Sequence, residues 1–373
     1  MGESLLEYYR RKKISTEHGV DDEWDKHLAR RKKLYRQLGI PVLAFKNSSI
    51  LEIGPGSGHN TLPLLTEWKV KHIDLLEPSE IARQELEEKF SRNHLSKDQY
   101  TIYGDALEEY QTTKTYDMII AEGFLHCAEN WKECLVKIEK WLHKDSIIIL
   151  TCTDEISCYV EKMKRAVMQY LTKDIEGHDS KVSFIKSIIE PQLSLLKGMS
   201  RTAEDWIEDQ IFYPVGSELM TIGKVLAFYG DSFDVLGASQ NIFVDYSWYK
   251  DFEYDYISSY RRQYEEKKHM FLLAGDDNEV LRTAEENGKL EEAVVYANDI
   301  ARELENGGDI GDFIYAVRKV SENTVNPLII EFNKELIEIM EKIRDDEVIE
   351  WNQYKNYMEC FGKSMQYISF VKK

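Results

Sequence analysis

The chain has 373 residues, 43% of them hydrophobic, enough to bury a large core and to carry a catalytic domain with substantial additions. Its net charge of −19 argues against an extended phosphate-binding surface, because nucleic-acid affinity comes largely from Lys and Arg. The five cysteines include no C-x-x-C pair, so they suggest neither a disulfide framework nor a zinc site and suit a reducing cytoplasm; no apolar run has the length of a membrane span.

Residues 1–47 are charged and follow a helical pattern. Trp24, Leu28, Tyr35 and Leu38 share one helix face, with Asp21 and Asp22 at its start and Gly39 and Pro41 at its end. Such a helix either packs on the edge of the next domain or covers a ligand site.

From Ser49 the pattern becomes β-α-β. In SILEIGPGSGHNTLPLL, residues 49–65, Ile50, Leu51 and Ile53 form a buried strand, and Gly54-Pro55-Gly56-Ser57-Gly58 is a tight turn into a helix bearing Leu62, Leu64 and Leu65. Glycines at alternate positions remove Cβ atoms where a ligand approaches the backbone. The dinucleotide pattern G-x-G-x-x-G needs its third glycine at His59, whereas the third glycine here is Gly58. With Glu52 the pattern reads E-x-G-x-G-x-G.

The second strand, KHIDLLEP at 71–78, ends in Glu77 and Pro78, close to the ~20-residue spacing at which a carboxylate accepts from ribose hydroxyls. A helix over 79–90 follows, then a strand at 100–103 running into Gly104-Asp105-Ala106. Residues 115–122, TYDMIIAE, form a fourth strand ending in Glu122, with Gly123-Phe124-Leu125-His126 beyond it, a helix over 130–142 and a strand over 146–152.

Residues 155–229 read as helices: 156–170, 180–196, a turn at Gly198, a helix capped by Thr202, and another over 217–229. SFDVLGAS and NIFVDYS then read as two β-like runs a few residues apart, and the remainder is helical, with Tyr256, Tyr260 and Tyr264 on one face and breaks at Asn306-Gly307-Gly308 and Asn326-Pro327.

Across residues 48–153 these motifs, in this order, resemble the class I S-adenosylmethionine (SAM) dependent methyltransferases. The resemblance implies an α/β fold with a seven-stranded Rossmann-like sheet, an N-terminal helical segment at 1–47, a SAM-binding core at 48–154, a helical insertion at 155–229 forming the substrate pocket or lid, a closing β-hairpin at 230–247 and a C-terminal helical module at 248–373. It implies that Glu52 supports the methionine ammonium, that Gly54, Gly56 and Gly58 shape the turn, and that His59 touches the cofactor or packs beside it. By the same resemblance Glu77, followed by Pro78, holds the ribose, Asp105 accepts from the adenine amino group, and the Ala106 N–H reaches the adenine ring.

A hydroxyl acceptor needs a base, for which His126 and Glu122 are the foremost candidates and His59 a third. Glu122, Asp154 and Glu155 lack the spacing of a metal signature, so no metal is expected. Where planar-amine methyltransferases carry N/D-P-P-Y/F, this chain reads Ala121-Glu122-Gly123-Phe124. The expectation is methyl transfer to a small-molecule or glycan-type acceptor, oxygen slightly ahead of nitrogen, with self-association through the helical segments as a homodimer. The alternatives are N-methylation of a small molecule or protein, a non-catalytic SAM-binding scaffold, and an NAD-dependent oxidoreductase.

Overall fold

The computed structural model describes residues 24–194, 202–213, 218–251, 256–275 and 280–373. The expected features at Asp21, Asp22, Gly198 and Ser217 lie outside these residues.

The first helix is α1 (Trp24–Gln37). The chain then alternates β1 (Ser49–Ile53), α2 (Leu62–Thr66), β2 (His72–Leu76), α3 (Glu80–Arg92), β3 (Tyr100–Tyr103), β4 (Tyr116–Ala121), α4 (Trp131–Glu139) and β5 (Leu142–Thr153). After β5 come α5 (Tyr159–Thr172), α6 (His178–Leu193), α7 (Ala203–Ile207), α8 (Ile222–Tyr229), β6 (Phe233–Ser239) and α9 (Tyr256–Lys267). The remainder is α10 (Ala284–Glu305), α11 (Ile310–Asn323), α12 (Pro327–Arg344), α13 (Lys355–Glu359) and β7 (Met365–Lys372).

Two compact units result. The described residues within 1–153, 214–264 and 365–373 form the first, and those within 154–213 and 265–364 the second. The helical insertion and the helical tail thus build one body together, while α8, expected with the insertion, belongs to the sheet unit.

The sheet order is β3-β2-β1-β4-β5-β7-β6, with β1 to β5 parallel and β7 antiparallel to both neighbours. Its parallel strands are apolar on both sides, as a sheet covered on both faces requires. Ile50, Ile73, Leu75, Met118 and Ile120 join the cluster of Tyr35, Phe45, Trp68, Leu86 and Phe90 on one face. Leu51, Ile53, Leu76, Ile119 and Leu150 are buried as well.

The closing pair departs from the expected hairpin. SFDVLGAS supplies β6, but residues 240–247 form no strand, and the antiparallel partner is β7 at 365–372. A strand between two others must bury both faces. Within MQYISFVK, Gln366, Ile368, Ser369 and Phe370 are buried, whereas Asn241, Asp245, Tyr246 and Ser247 of the other candidate are exposed. The segment 248–373 therefore ends in a strand of the first unit.

Helix α1 crosses the sheet. At its C-terminal end Ser369 of β7 donates to the Leu38 carbonyl at 2.6 Å, and Gly237 of β6 allows close approach, since a Cβ there would stand 2.4 Å from the Gln37 oxygen. The expected tyrosine face serves packing: Tyr264 is buried against Gly223, and Tyr260 lies edge-on to Phe243.

In the second unit, Tyr159, Val167, Phe313, Val317, Phe332 and Leu336 are fully buried. Its helices start on strong caps: Thr283 with Glu286 as a capping box, Asp309, and Asn326 followed by Pro327. The break at Asn306-Gly307-Gly308 falls at the end of α10; Gly307 has φ +88°, and a Cβ on Gly308 would meet the Glu303 backbone at 2.8 Å.

Candidate functional site

Parallel pairing aligns Ile53 with both Leu76 and Ala121, and Leu76 with Tyr103. The next residues, Gly54, Glu77, Glu122 and Gly104, therefore emerge together at the carboxyl edge of the sheet. Strand order reverses between β1 and β4 here, the place where open α/β sheets bind ligands.

The turn after β1 needs its glycines. Gly54, Gly56 and Gly58 have φ of +70°, +56° and +78°. A Cβ on Gly54 would lie 3.0 Å from the Phe124 ring, and one on Gly58 would press on Leu86 and Phe90 at 3.2 Å. The buried Glu77 straps the turn to β2: Oε2 accepts from the Gly56 N–H at 2.9 Å and Oε1 from the Ser79 N–H at 2.8 Å. Burial raises its carboxyl above the ordinary value, and the two N–H bonds only partly offset that. Pro78, next in sequence, is half-buried.

Glu52 lies within the sheet's interior, where Oε2 accepts from the Thr61 hydroxyl at 2.7 Å. Burial pushes its carboxyl up to about 7, against the lowering effect of Thr61; nearby Glu122 adds to the rise. One hydroxyl donor is too little to replace the hydration of a buried carboxylate.

Glu122 is held by Arg31. Nη1 donates to Oε2 at 3.0 Å and Nη2 to Oε1 at 2.8 Å, while Asn60 of the turn reaches Oε2 at 3.4 Å. Nη2 of Arg31 also donates to the Tyr35 hydroxyl. His27, one turn earlier on α1, has its ring centroid 4.0 Å from that of His59, and Trp24 is 6.3 Å from His59. Burial, with His59 and Arg31 nearby, lowers His27 to about 4. The first helix thus reaches the glycine turn while also packing Tyr35 into the core of the sheet.

His126 sits in a short turn, Leu125–Cys127, and is buried. Its Nδ1 is 3.5 Å from Thr151 Oγ1, which itself accepts from the Gly123 N–H at 2.9 Å. Its carbonyl accepts from the Met220 N–H at 3.1 Å. Asp105 is exposed beyond β3, and the Ala106 carbonyl accepts from the N–H groups of Glu109 and Tyr110. Next to them, a Cβ on Gly104 would lie 3.2 Å from the guanidinium carbon of Arg83, whose Nη1 donates to the Glu77 carbonyl at 2.8 Å. Of the three acids considered for a metal, Glu122 pairs with Arg31, and Glu155 pairs with Lys162 and accepts from Asn298.

Sequence reasoning missed Arg31, His27, Asn60, Thr61 and Thr151. The available signal was the spacing of His27, Arg31 and Tyr35, four residues apart on the buried side of α1, where an edge helix would show apolar residues.

A parallel core closed by an antiparallel strand, with an acid-bordered glycine turn at its reversal point, defines the class I, Rossmann-like methyltransferase fold. Residues 51–148 match the family of a methyltransferase domain, so the chain carries a class I SAM-dependent methyltransferase domain. No curated protein matches the chain by sequence.

Solved structures resemble it at low identity. A protein described as an S-adenosylmethionine dependent methyltransferase from Listeria monocytogenes is 16% identical over 34% of this chain and 56% of its own, with a TM-score of 0.29. One described as a sarcosine dimethylglycine methyltransferase from Galdieria sulphuraria is 13% identical over 100% and 99%, with a TM-score of 0.41. The N-methyltransferase NodS from Bradyrhizobium japonicum, in complex with S-adenosyl-L-homocysteine, is 15% identical over 42% and 76%, with a TM-score of 0.33. The chain spans 56% of the length of the Listeria protein and 45% of that of a methyltransferase from Thermoplasma acidophilum.

Proposed function

We propose that this protein transfers the methyl group of S-adenosylmethionine to a small-molecule acceptor, with oxygen rather than nitrogen as the receiving atom. The observation that carries the reading is the positive-φ glycine turn, strapped by Glu77 and bordered by Glu52, within a stretch that matches a methyltransferase domain. The residues present fit such a cofactor: the turn has no room for side chains at Gly54 and Gly58, and two buried carboxylates stand beside it.

When bound, the cofactor supplies a methyl group already activated on a sulfonium. Glu52 receives the ammonium of the methionine end. Glu77, while strapping the turn, presents a carboxylate to the ribose hydroxyls, Asp105 accepts from the adenine amino group, and the Ala106 N–H donates to the ring. His126 takes the proton of a hydroxyl acceptor at Nε2, the nitrogen away from Thr151. Glu122 is the poorer base, because taking a proton would remove the negative charge that assists both of its bonds to Arg31. We place the protein in the cytoplasm on a cysteine pattern without a C-x-x-C pair, which suits a reducing compartment, and no helix among the described residues is long and apolar enough to cross a membrane.

The test is isothermal titration of the purified protein with SAM and with NAD, followed by transfer of labelled methyl to a panel of hydroxyl and amine acceptors. Binding of SAM alone and label on a hydroxyl is the expected result. No heat with SAM refutes the cofactor, SAM binding with no transfer favours the scaffold, and transfer only to amines refutes the oxygen assignment.

A further inference from the structure

Strand β5 carries Thr151 and Thr153 on one face, since residues two apart on a strand point the same way. Both are buried at the carboxyl edge of the sheet, beyond the last pairing of β4 with β5 at Ala121 and Leu150. Thr151 is engaged: its hydroxyl oxygen accepts from the Gly123 N–H at 2.9 Å and lies 3.5 Å from His126 Nδ1. Thr153 is not. It is 4% exposed, and its hydroxyl has no hydrogen-bond partner among the described residues.

The backbone ties Thr153 to the proposed base. Met220 donates its N–H to the His126 carbonyl at 3.1 Å and accepts from the Thr153 N–H at 3.0 Å, so a single residue spans the two. Space is open close by, because a Cβ on Gly123 would meet nothing within 4 Å among the described residues. A buried hydroxyl without a partner is costly and rare enough to need a cause. Valine has the same shape and would escape that cost, so folding alone does not account for the hydroxyl, whereas a ligand does.

Resting on the reading of an oxygen-directed methyltransferase, we propose that Thr153 is a specificity-determining residue whose hydroxyl pairs with a second polar group of the acceptor while His126 takes the proton from the first. The acceptor class this defines is a polyol, in which the reacting hydroxyl has another hydroxyl close to it. A threonine hydroxyl donates once and accepts as well, so it suits a neighbour that does the same. An acceptor without the second hydroxyl leaves Thr153 buried and unpaired in the complex. A polar site rejects such an analogue more sharply than an apolar pocket can.

The experiment measures kcat/KM with methyl-labelled SAM for trans-cyclohexane-1,2-diol against cyclohexanol, and for methyl glucoside against its monodeoxy analogues. The wild-type protein is expected to favour the diol over the mono-ol, and the glucoside over one of its deoxy forms, by at least about tenfold. Thr153→Val, which keeps the shape and removes the hydroxyl, should erase that preference, and Thr153→Ser should keep it. Without ligand, the Thr153→Val protein should melt no lower than wild type, since no bond within the fold is lost.

Equal kcat/KM within both sets for the wild type, a comparison that needs no variant to fold, overturns the assignment while leaving the methyltransferase reading intact. So does label on simpler hydroxyl acceptors with none on these polyols. A Thr153→Val protein that keeps the preference overturns it as well, and so does one that melts lower than wild type, because the hydroxyl would then serve the fold. Absence of transfer to any hydroxyl removes the oxygen reading itself, and the assignment falls with it.

Discussion

Replacing Glu52 by glutamine should make the ligand-free protein more stable and the cofactor complex weaker. Burial raises the Glu52 carboxyl from 4.5 to about 7, which corresponds to a penalty on the ionised form of roughly 3 kcal/mol at ~1.4 kcal/mol per tenfold. The sign follows from comparing the folded and unfolded chains. Below pH 4.5 the carboxyl is protonated in both, and no penalty arises. As pH rises toward about 7 the unfolded chain ionises first and stability drains away, and above about 7 the loss is complete. Glutamine keeps the oxygen that accepts from Thr61 and carries no charge, so it escapes the loss.

At ~2–4 °C per kcal/mol for a domain of this size, Glu52→Gln should melt on the order of 5–10 °C above wild type at pH 8, with the gap narrowing to 2–3 °C or less at pH 5. Thermal denaturation of both proteins across that range, monitored by near-UV circular dichroism, makes the comparison. In the presence of saturating SAM the order at pH 8 should shrink or reverse, because the ligand's ammonium stabilises a carboxylate and not an amide. A pH-independent gap, or a less stable variant at pH 8, refutes the reasoning.

Three further outcomes follow from the geometry. Glu77→Ala removes the acceptor of the Gly56 and Ser79 N–H groups as well as the proposed ribose contact, and should weaken SAM binding about 10–100-fold by calorimetry; an unchanged affinity excludes the contact. His126→Ala should lower turnover about 10²-fold or more while leaving SAM affinity within about twofold, and an unchanged rate removes His126 as the base. Gly54→Ala forces a Cβ to 3.0 Å from the Phe124 ring at a φ of +70°, and should cost about 1–3 kcal/mol in chemical denaturation; a neutral effect would show that the turn relaxes freely.

The sequence was most legible where local chemistry and tertiary demand agree. The strand ending in Ile53, the glycine turn and the second strand with Glu77 one residue beyond its end follow from apolar runs punctuated by Gly and Pro. So does the cap at Thr202, which accepts from the Asp205 N–H, while Asn326, legible only as a break, proves to cap α12 by accepting from the Leu328 N–H. The final strand was hidden because pairing across the whole tail leaves no local trace: MQYISFVK and NIFVDYS are both short apolar runs, and the slot between β5 and β6 selects the one able to bury both faces. Arg31 was hidden for the opposite reason. A helix is read by its apolar stripe, and here the inward stripe is His27, Arg31 and Tyr35, polar residues whose partners at Glu122 and His59 come from other parts of the chain.

The placement of β7 also bears on the order in which the protein can assemble. During synthesis β5 and β6 are made with a vacancy between them, and it is filled only by residues 365–372, after the whole stretch from Gln240 to Ser364 has been translated. At ~5–20 residues per second that is a delay on the order of ten seconds, during which two strand edges stand open to any extended chain nearby. Until then the sheet can hold only its parallel half in register, because among the described residues β7 is the strand that joins β6 to β5.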